Sequence, residues 1–148
     1  MTVWIEKPWS ALSLEELYAI LALRQRVFIV EQNCPYVDAD GADPACRHLW
    51  AAGADGPEAY LRIVPPGLKF DEPSLGRVIT APEARGTGLG RALIVEGLAR
   101  LEAAHGRVAV RIGAQKYLER FYGELGFVRA SDDYDEDGIT HCEMTIAL

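Results

Sequence analysis

Several features that define other protein classes are scarce or absent in this sequence. It has only three cysteines, Cys34, Cys46 and Cys142, and no C-x-x-C pair, which argues against a disulfide framework and favours free thiols in a reducing compartment. No window approaches the ~20 apolar residues of a membrane span, and the amino terminus lacks the apolar core of a signal peptide. We therefore expect a soluble, cytoplasmic protein without a membrane partner.

The chain also has fewer basic than acidic residues. The chain has 15 Lys and Arg against 22 Asp and Glu, a net charge of −7, so its surface repels phosphate backbones and a nucleic-acid partner is not expected. A cationic partner is easier to accommodate. The 148 residues, 49% of them hydrophobic, suit one compact domain covering residues 1–148.

Glycine, by contrast, is concentrated in one stretch, residues 75–94, which reads as a strand, a turn and the start of a helix. Val78, Ile79 and Thr80 are β-branched, and Pro82 prevents the strand from continuing. Where the helix begins, the backbone N–H groups of residues 85–90 lack helical partners and lie at the positive end of the helix dipole. Such a junction predicts an anion site.

We expect the anion to be a phosphate or pyrophosphate, because alternate glycines let a ligand approach the backbone closely. A dinucleotide fingerprint is excluded, since its third glycine position is occupied by Arg91, and a P-loop is excluded because no Gly-Lys precedes Ser or Thr. The side chains that add charge or a hydroxyl at the turn are Arg85, Thr87 and Arg91.

The spacing of Arg85, Gly88 and Gly90 satisfies R-x-x-G-x-G/A. This motif resembles the acetyl-coenzyme A motif of the GNAT superfamily of N-acetyltransferases. Residues 121–127, Phe-Tyr-Gly-Glu-Leu-Gly-Phe, are similar to the second signature of that superfamily, F-Y-x-x-x-G-F. Residues 23–36 resemble the ElaA-like branch over their whole length.

Hydrophobic periodicity predicts an α+β fold. Strands are expected at 2–6, 48–53, 58–64, 75–80, 107–112, 127–128 and 140–146, and helices at 13–32, from the glycine turn to 105, and at 115–125. The sheet should be antiparallel at its ends with one parallel pair at its centre, since a helix separates those two strands. The resemblance implies a GNAT-like mixed central sheet, with helices on both faces and the central strands splayed to hold coenzyme A.

The same resemblance implies which residues bind acetyl-coenzyme A, the expected co-substrate. Its pantetheine arm would pair with the backbone of the strand before the turn, and its phosphates would lie on the turn. Arg85, Arg91, Lys116 and Arg120 are placed to make this region locally positive. The predicted cofactor-binding residues are Val78, Ile79, Thr80, Arg85, Gly86, Thr87, Gly88, Leu89, Gly90, Arg91 and Gln115.

Acetyl transfer to an amine, by direct attack in a ternary complex, needs a base for the amine and an acid for the departing thiolate. Tyr122 matches the tyrosine of the second signature, and a phenol with a pKa of about 10 can donate at neutral pH. Glu31 is the first choice for the base, with His48 and His141 behind it. If Tyr122 is not the acid, it anchors its helix on the sheet. If neither histidine is the base, each is a packed or solvated side chain.

The acceptor is not defined by the sequence. Tyr36, Asp38 and His48 are predicted to bind it, and acidic stretches at 38–43 and 132–137 favour a cationic polyamine, amino sugar or lysine side chain, although solvated charge explains them equally well. No metal site is expected, because these carboxylates lack EF-hand spacing and the cysteines lack zinc spacing. Two alternatives to an enzyme stay open, a non-catalytic acyl-coenzyme A binding module and a plain phosphate-ligand binder. Both monomer and homodimer are open.

Overall fold

The computed structural model describes residues 1–148 and contains eight strands and three longer helices. Short 3₁₀ turns connect several of them. The elements are β1 (Trp4–Pro8), α1 (Leu14–Arg24, continued by a π-helical segment Gln25–Glu31), β2 (Arg47–Gly53), β3 (Gly56–Val64), β4 (Ser74–Thr80), α2 (Leu89–His105), β5 (Ala109–Gln115), α3 (Glu119–Glu124), β6 (Val128–Arg129), β7 (Tyr134–Glu136) and β8 (Ile139–Ala147).

The strands form two four-stranded sheets that meet at β4 and β5. The first has the order β1-β2-β3-β4, and the second has the order β5-β8-β6 with β7 also paired to β8; every ladder is antiparallel. Between β4 and β5 there is no ladder. The Arg111 N–H donates to the Pro73 carbonyl at 3.1 Å near the beginning of both strands, and a cleft separates their ends. The predicted α+β fold with a splayed central pair is confirmed.

Side chains of β2 and β3 alternate between two helical layers. Leu49 and Leu61 pack in the same core cluster as the buried face of α2, whereas Trp50 and Tyr60 pack with α1. This is the period of two expected for strands buried on both faces. Helices therefore cover both faces, as predicted.

The larger core cluster joins the two sheets. It includes Leu61 of β3 and Leu75 of β4 as well as Val110 of β5 and Met144 of β8, all nearly inaccessible to solvent. The two sheets therefore share one continuous apolar core. None of the helices has both the length and the apolar content needed to cross a membrane.

Helix α1 begins at a capping box, one residue from the predicted helix start at 13. The Ser13 hydroxyl accepts from the Glu16 N–H at 3.0 Å, and the Glu16 carboxylate accepts from the Ser13 N–H at 2.9 Å, so two otherwise free donors are satisfied. The helix widens into π geometry from Gln25 to Glu31, a form that frequently occurs at functional sites. Its end carries Glu31 and Gln32 to the cleft.

Strand β5 extends further than the sequence predicted. Residues 107–112 were expected as the strand and Gln115 as the start of the next helix, but β5 pairs with β8 up to Gln115, which lies opposite His141. The buried positions Val110, Ile112 and Ala114 keep the strand period. Gln115 is therefore the last residue of a cleft-lining strand, and α3 begins only at Glu119.

A short strand was also missed between β6 and β8. Tyr134–Glu136 pairs with β8 through a turn in which Asp137 and Gly138 have φ of 54° and 82°. Two consecutive positive φ values are the requirement of a type I′ hairpin, for which Asp-Gly is a preferred sequence. The hairpin folds Tyr134 against the cleft.

Gly97 sets how closely α2 approaches the sheet. A Cβ at this position would lie 3.0 Å from Leu61 Cδ2 and 3.1 Å from Leu75 Cδ1, so a larger side chain must push the helix away. We expect Gly97→Val to lower the free energy of unfolding by about 1–3 kcal/mol through overpacking, measured by urea denaturation. Gly123→Ala in α3 is the control, since a Cβ there meets nothing within 4 Å and should stabilise by roughly 0.5–1 kcal/mol. An unfolding midpoint of Gly97→Val at or above that of the parent chain would contradict this packing.

Candidate active site

A cleft of about 940 Å³ opens where β4 and β5 diverge. This volume is in the range of small-molecule sites. All seven residues of β4 line one wall, and the end of α1, the end of β5, α3 and the β7–β8 hairpin provide the others. The functional side chains that line it are Glu31, Gln32, Tyr36, Arg77, Arg85, Gln115, Tyr122, Tyr134, Glu136 and His141.

The glycine turn presents a row of free backbone donors. The Arg85 N–H donates to the Pro82 carbonyl at 3.4 Å and the Ala92 N–H to the Gly88 carbonyl at 3.1 Å, but the six N–H groups of residues 86–91 have no acceptor within the protein. Gly86 and Gly88 have φ of 79° and 82°, a conformation that other residues rarely adopt. Six free donors at the amino terminus of the 17-residue helix α2 are suited to donate to an anion, and we call residues 86–91 the cradle.

The cations around this cradle are paired with carboxylates. Arg85 donates from both terminal nitrogens to Glu31, at 3.0 and 2.7 Å. Arg91, Lys116 and Arg120 each have a carboxylate within ion-pair distance as well. Exposed pairs of this kind are worth about 0–1 kcal/mol, so a phosphate can compete for the guanidinium groups.

Its contact with Arg85 makes Glu31 a weaker base than the sequence suggested. The hydrogen bonds from Arg85 hold the pKa of Glu31 below its ordinary value. A carboxylate with a lowered pKa accepts a proton less readily. While it is paired, Glu31 orients the Arg85 guanidinium, and its role as the general base stays a prediction.

The free edge of β4 follows directly from the splayed sheets. Val78, Ile79 and Thr80 belong to a strand that is paired only with β3, so the opposite edge of their backbone faces the cleft. Gln115 lies across the gap and forms an amide pair with Gln32, with N···O distances of 3.3 and 3.5 Å. An open strand edge can accept an extended, amide-bearing ligand.

Tyr122 has a fixed ring and an unpaired hydroxyl. Its ring packs edge-on against Phe121 and Phe127, with centroids 5.2 and 5.7 Å away, and the residue is 6% exposed. The hydroxyl makes no hydrogen bond within the protein, although the residue lines the cleft. Burial raises the pKa of Tyr122 above its usual value, so the phenol keeps its proton at neutral pH.

A second phenol in the cleft was not predicted. The Tyr134 hydroxyl lies over Gly113, where a Cβ would come within 2.9 Å of it, and it makes no hydrogen bond within the protein. Burial raises the pKa of Tyr134 to about 12. The sequence signal was the Asp137-Gly138 turn, which places an aromatic residue on a hairpin.

The Tyr134 ring stacks on His141, with centroids 5.8 Å apart. His141 Nδ1 is 2.8 Å from the Ile139 carbonyl, and its Nε2 is 3.3 Å from Glu136 Oε2. The carbonyl contact requires a proton on Nδ1. Of the two histidines considered as the base, His141 is the one that lines the cleft.

His48 lies outside the cleft, contrary to its predicted roles in acceptor binding and as a reserve base. It is 1% exposed, and its two ring nitrogens lie 2.8 Å from the Tyr60 hydroxyl and 3.0 Å from the Asp43 carbonyl. Burial lowers the pKa of His48. Both nitrogens are satisfied, so His48 is a core residue.

Two of the three carboxylates in the acidic loop at 38–43, those of Asp38 and Asp43, are buried and already have cationic partners. Asp38 Oδ2 is 2.7 Å from Arg24 Nε and its Oδ1 is 2.7 Å from Arg77 Nε. Asp43 Oδ1 bridges Arg24 and Arg62 at 2.8 and 2.9 Å. Arg24 and Arg62 are 0% and 2% exposed, so the loop is fixed by buried ion pairs. We call these five residues the arginine–aspartate network.

Two further contacts extend this network. Asp40 accepts from Arg62 at 2.7 and 2.9 Å and from Lys69 at 2.9 Å, and these contacts hold the pKa of Asp40 far below its usual value. The Tyr36 hydroxyl donates to Asp38 Oδ1 at 3.2 Å. Tyr36 lines the cleft as predicted, but its hydroxyl and the Asp38 carboxylate already have partners.

Open strand edges, a row of free backbone N–H groups and a phenol that share one cleft fit an acyl-coenzyme A-dependent acyltransferase. The family model described as an acetyltransferase (GNAT) domain matches residues 64–148, more than half of the chain. The protein therefore belongs to the GNAT acetyltransferase family, and its relatives include ElaA.

Protein ElaA of Escherichia coli is 38% identical over 146 residues, 97% of this chain and 95% of that protein. A UPF0039 protein of Synechocystis is 39% identical over 142 residues, 95% of this chain and 92% of that protein. The crystal structure of an acyl-CoA N-acyltransferase from Pseudomonas aeruginosa, 39% identical, superposes with a TM-score of 0.92 and covers 98% of this chain and 99% of that chain. That of Escherichia coli ElaA, 37% identical, gives 0.91 and covers 99% of each chain.

Gly88 tests the phosphate cradle. If the cradle binds the phosphates, Gly88→Ala should weaken coenzyme A binding about tenfold or more, because strain at φ of 82° would displace the free N–H groups, each charge-assisted bond being worth about 1.5–3 kcal/mol. Isothermal titration with coenzyme A measures the change.

Gly106→Ala is the matched control. Gly106 follows α2 with φ of 77°, and a Cβ at either glycine meets no atom within 4 Å. Gly106 has ψ of −160° and Gly88 has ψ of 6°, so Gly106→Ala should lose at least as much stability as Gly88→Ala, while only Gly88→Ala should lose affinity. Equal coenzyme A affinities for the two variants would show that the cradle does not bind the phosphates of coenzyme A.

Proposed function

We propose that this protein is an N-acetyltransferase that moves an acetyl group from acetyl-coenzyme A to a primary amine by direct attack in a ternary complex. The observation that carries the proposal is the row of six acceptor-free N–H groups at residues 86–91, beside a strand edge open to the cleft. The three free, buried cysteines favour a cytoplasmic location.

The cofactor lies along β4 in this proposal. Its pyrophosphate accepts from the N–H groups of residues 86–91, with Arg85 and Arg91 beside it. Its pantetheine arm adds to the free edge at Val78, Ile79 and Thr80, as a peptide adds to a sheet edge. Gln115 faces the arm from β5, where its amide can exchange Gln32 for the ligand.

Backbone groups and one side chain have different roles in the reaction. Acetyl-coenzyme A supplies a thioester carbonyl that an amine can attack without a covalent enzyme intermediate. Backbone N–H groups of β4 donate to the carbonyl oxygen as negative charge develops, a contribution of about 2.7–4 kcal/mol for one donor in studied acyl-transfer sites. As the C–N bond forms and the C–S bond breaks, the attacking nitrogen loses a proton to the general base or to solvent water. The Tyr122 hydroxyl gives its proton to the departing thiolate and is reprotonated from solvent.

The acceptor enters from the side of the β7–β8 hairpin. The loop carboxylates at 38–43 are held by arginines and lysine, so they leave little charge for an incoming amine. Glu136 is more exposed and has only His141 as a partner. A primary amine on a small molecule or peptide, drawn to Glu136, fits this arrangement.

An amine panel tests the activity. Polyamines, amino sugars and lysine peptides are supplied with acetyl-coenzyme A, and thiol release above the amine-free rate is followed. We expect at least one amine to accelerate release and to be recovered as its acetamide. Coenzyme A binding without accelerated release by any amine would favour the non-catalytic acyl-coenzyme A module, and tighter binding of ATP than of coenzyme A would favour a plain phosphate-ligand binder.

Tyr122→Phe should lower kcat on the order of 10²–10⁴-fold, because it removes the general acid but keeps the ring packing. Coenzyme A affinity should hardly change, since the contact is made in the transition state. Because the pKa of Tyr122 is raised, loss of its proton should not reduce kcat between about pH 7 and 9.

Tyr134→Phe is the matched control for this variant. Tyr134 also has an unpaired hydroxyl in the cleft, so the pair of variants separates a specific proton donor from a general loss of cleft polarity. We expect kcat of Tyr134→Phe to stay within a few-fold of the parent enzyme. If Tyr122→Phe has the parent kcat, water protonates the thiolate and Tyr122 is structural.

A further inference from the structure

Strand β4 contains one residue too many for its pairing with β3. Gly76 lies opposite Arg62 and Ile79 opposite Tyr60, so Arg77 and Val78 together face a single residue of β3. Arg77 has φ of 51°, in the left-handed region that L-residues other than glycine rarely adopt. This β-bulge bends the strand and leaves backbone groups out of the ladder.

The bulge is tied to the acidic loop through the Arg77 side chain. The Arg77 Nε lies 2.7 Å from Asp38 Oδ1, and its Nη2 donates to the Asp38 carbonyl at 3.1 Å. Asp38 is itself fixed by buried Arg24 at 2.7 Å. A two-point contact to a fixed, buried partner restricts the position of the guanidinium, and through it the backbone of Arg77.

Stability alone does not account for this arrangement. Buried ion pairs lose hydration energy that their attraction only partly restores, and apolar replacements are often as stable. Here one donor is also left over, because Arg62 Nε is buried without a hydrogen-bond partner. A costly network that ends on a strained residue of the cleft wall suggests a functional constraint.

We infer that Arg77 is a positioning residue for acyl transfer: its ion pair with Asp38 holds the β4 bulge that aims the Val78 backbone at the thioester carbonyl. The inference rests on the proposed function. Without the ion pair, the left-handed conformation loses its support, and β4 can relax toward regular pairing. A one-residue change of register turns side chains and backbone donors to the opposite side.

Two substitutions of Arg77 distinguish the effect of its backbone conformation from the effect of its guanidinium. Arg77→Ala removes the guanidinium and keeps the steric penalty of a Cβ at positive φ. Arg77→Gly removes the same guanidinium, but glycine adopts this φ freely. With acetyl-coenzyme A and the amine panel, we expect kcat to fall on the order of 10²-fold for Arg77→Ala, as for a misplaced reacting group. Arg77→Gly should recover at least tenfold of that loss, and KM for acetyl-coenzyme A should stay within a few-fold for both.

Arg47→Ala is the matched control, since it removes an arginine paired with Glu6 on β2, away from the cleft, and should leave kcat unchanged. Asp38→Asn removes the charge from the same contact with little change in shape. It gives a second route if Arg77→Ala does not fold, as judged by its thermal transition. Its kcat should fall as that of Arg77→Ala does.

The hydrogen bond to the thioester carbonyl can also be measured without turnover. Acetyl-coenzyme A labelled with the NMR-active carbon isotope at the thioester carbonyl should show a downfield carbonyl shift on binding the parent protein, the sign of a hydrogen bond to that oxygen. The shift should shrink with Arg77→Ala and return with Arg77→Gly.

Equal kcat and equal carbonyl shifts for the parent, Arg77→Ala and Asp38→Asn would overturn the inference alone. Equal impairment of Arg77→Ala and Arg77→Gly would also overturn it, because the guanidinium and not the bulge would then matter. Failure of the parent protein to bind acetyl-coenzyme A would overturn the proposed function and this inference with it.

Discussion

The separation of β4 from β5 is the constraint on which the rest of the site depends. One backbone hydrogen bond, from Arg111 to Pro73 at 3.1 Å, joins the two strands, and beyond it both have an unpaired edge. Unpaired edges usually invite aggregation and are covered or charged. Here the helices on both faces and the shared core hold the sheets together, so the edges face each other across a cleft and are protected from other chains.

The buried ion pairs and the proposed anion site lie in different parts of the molecule and depend on different groups. The chain is acidic overall, yet its most buried charges are Arg24 and Arg62, and the carboxylates that approach them belong to one loop. These carboxylates are used to fix α1, the loop and β4 relative to one another. The proposed anion site, in contrast, depends on backbone N–H groups, which a negative net charge does not neutralise.

Much of this could be predicted from the sequence, because local signals determine local structure. The Ser13–Glu16 capping box, the glycine turn and Gly97 each act through neighbours in the chain or through one helix face. The arginine–aspartate network could not be predicted, because residues that pair directly in it are up to 39 positions apart in the chain, as Arg77 is from Asp38. Arg24 inside an apolar stripe was the one available sign. Gln115 was misplaced because strand β5 is extended by its ladder with β8, a partner distant in sequence.

The Gln32–Gln115 pair closes the mouth of the cleft with two long amide contacts, at 3.3 and 3.5 Å. These contacts connect the end of the α1 segment to the end of β5, and so they bridge the two sheets on the side where the strands have diverged. Amides are also the polar groups of a pantetheine arm. A pantetheine arm bound in this cleft would offer each glutamine an amide partner of the kind it gives up, so the exchange would lose little hydrogen-bond enthalpy.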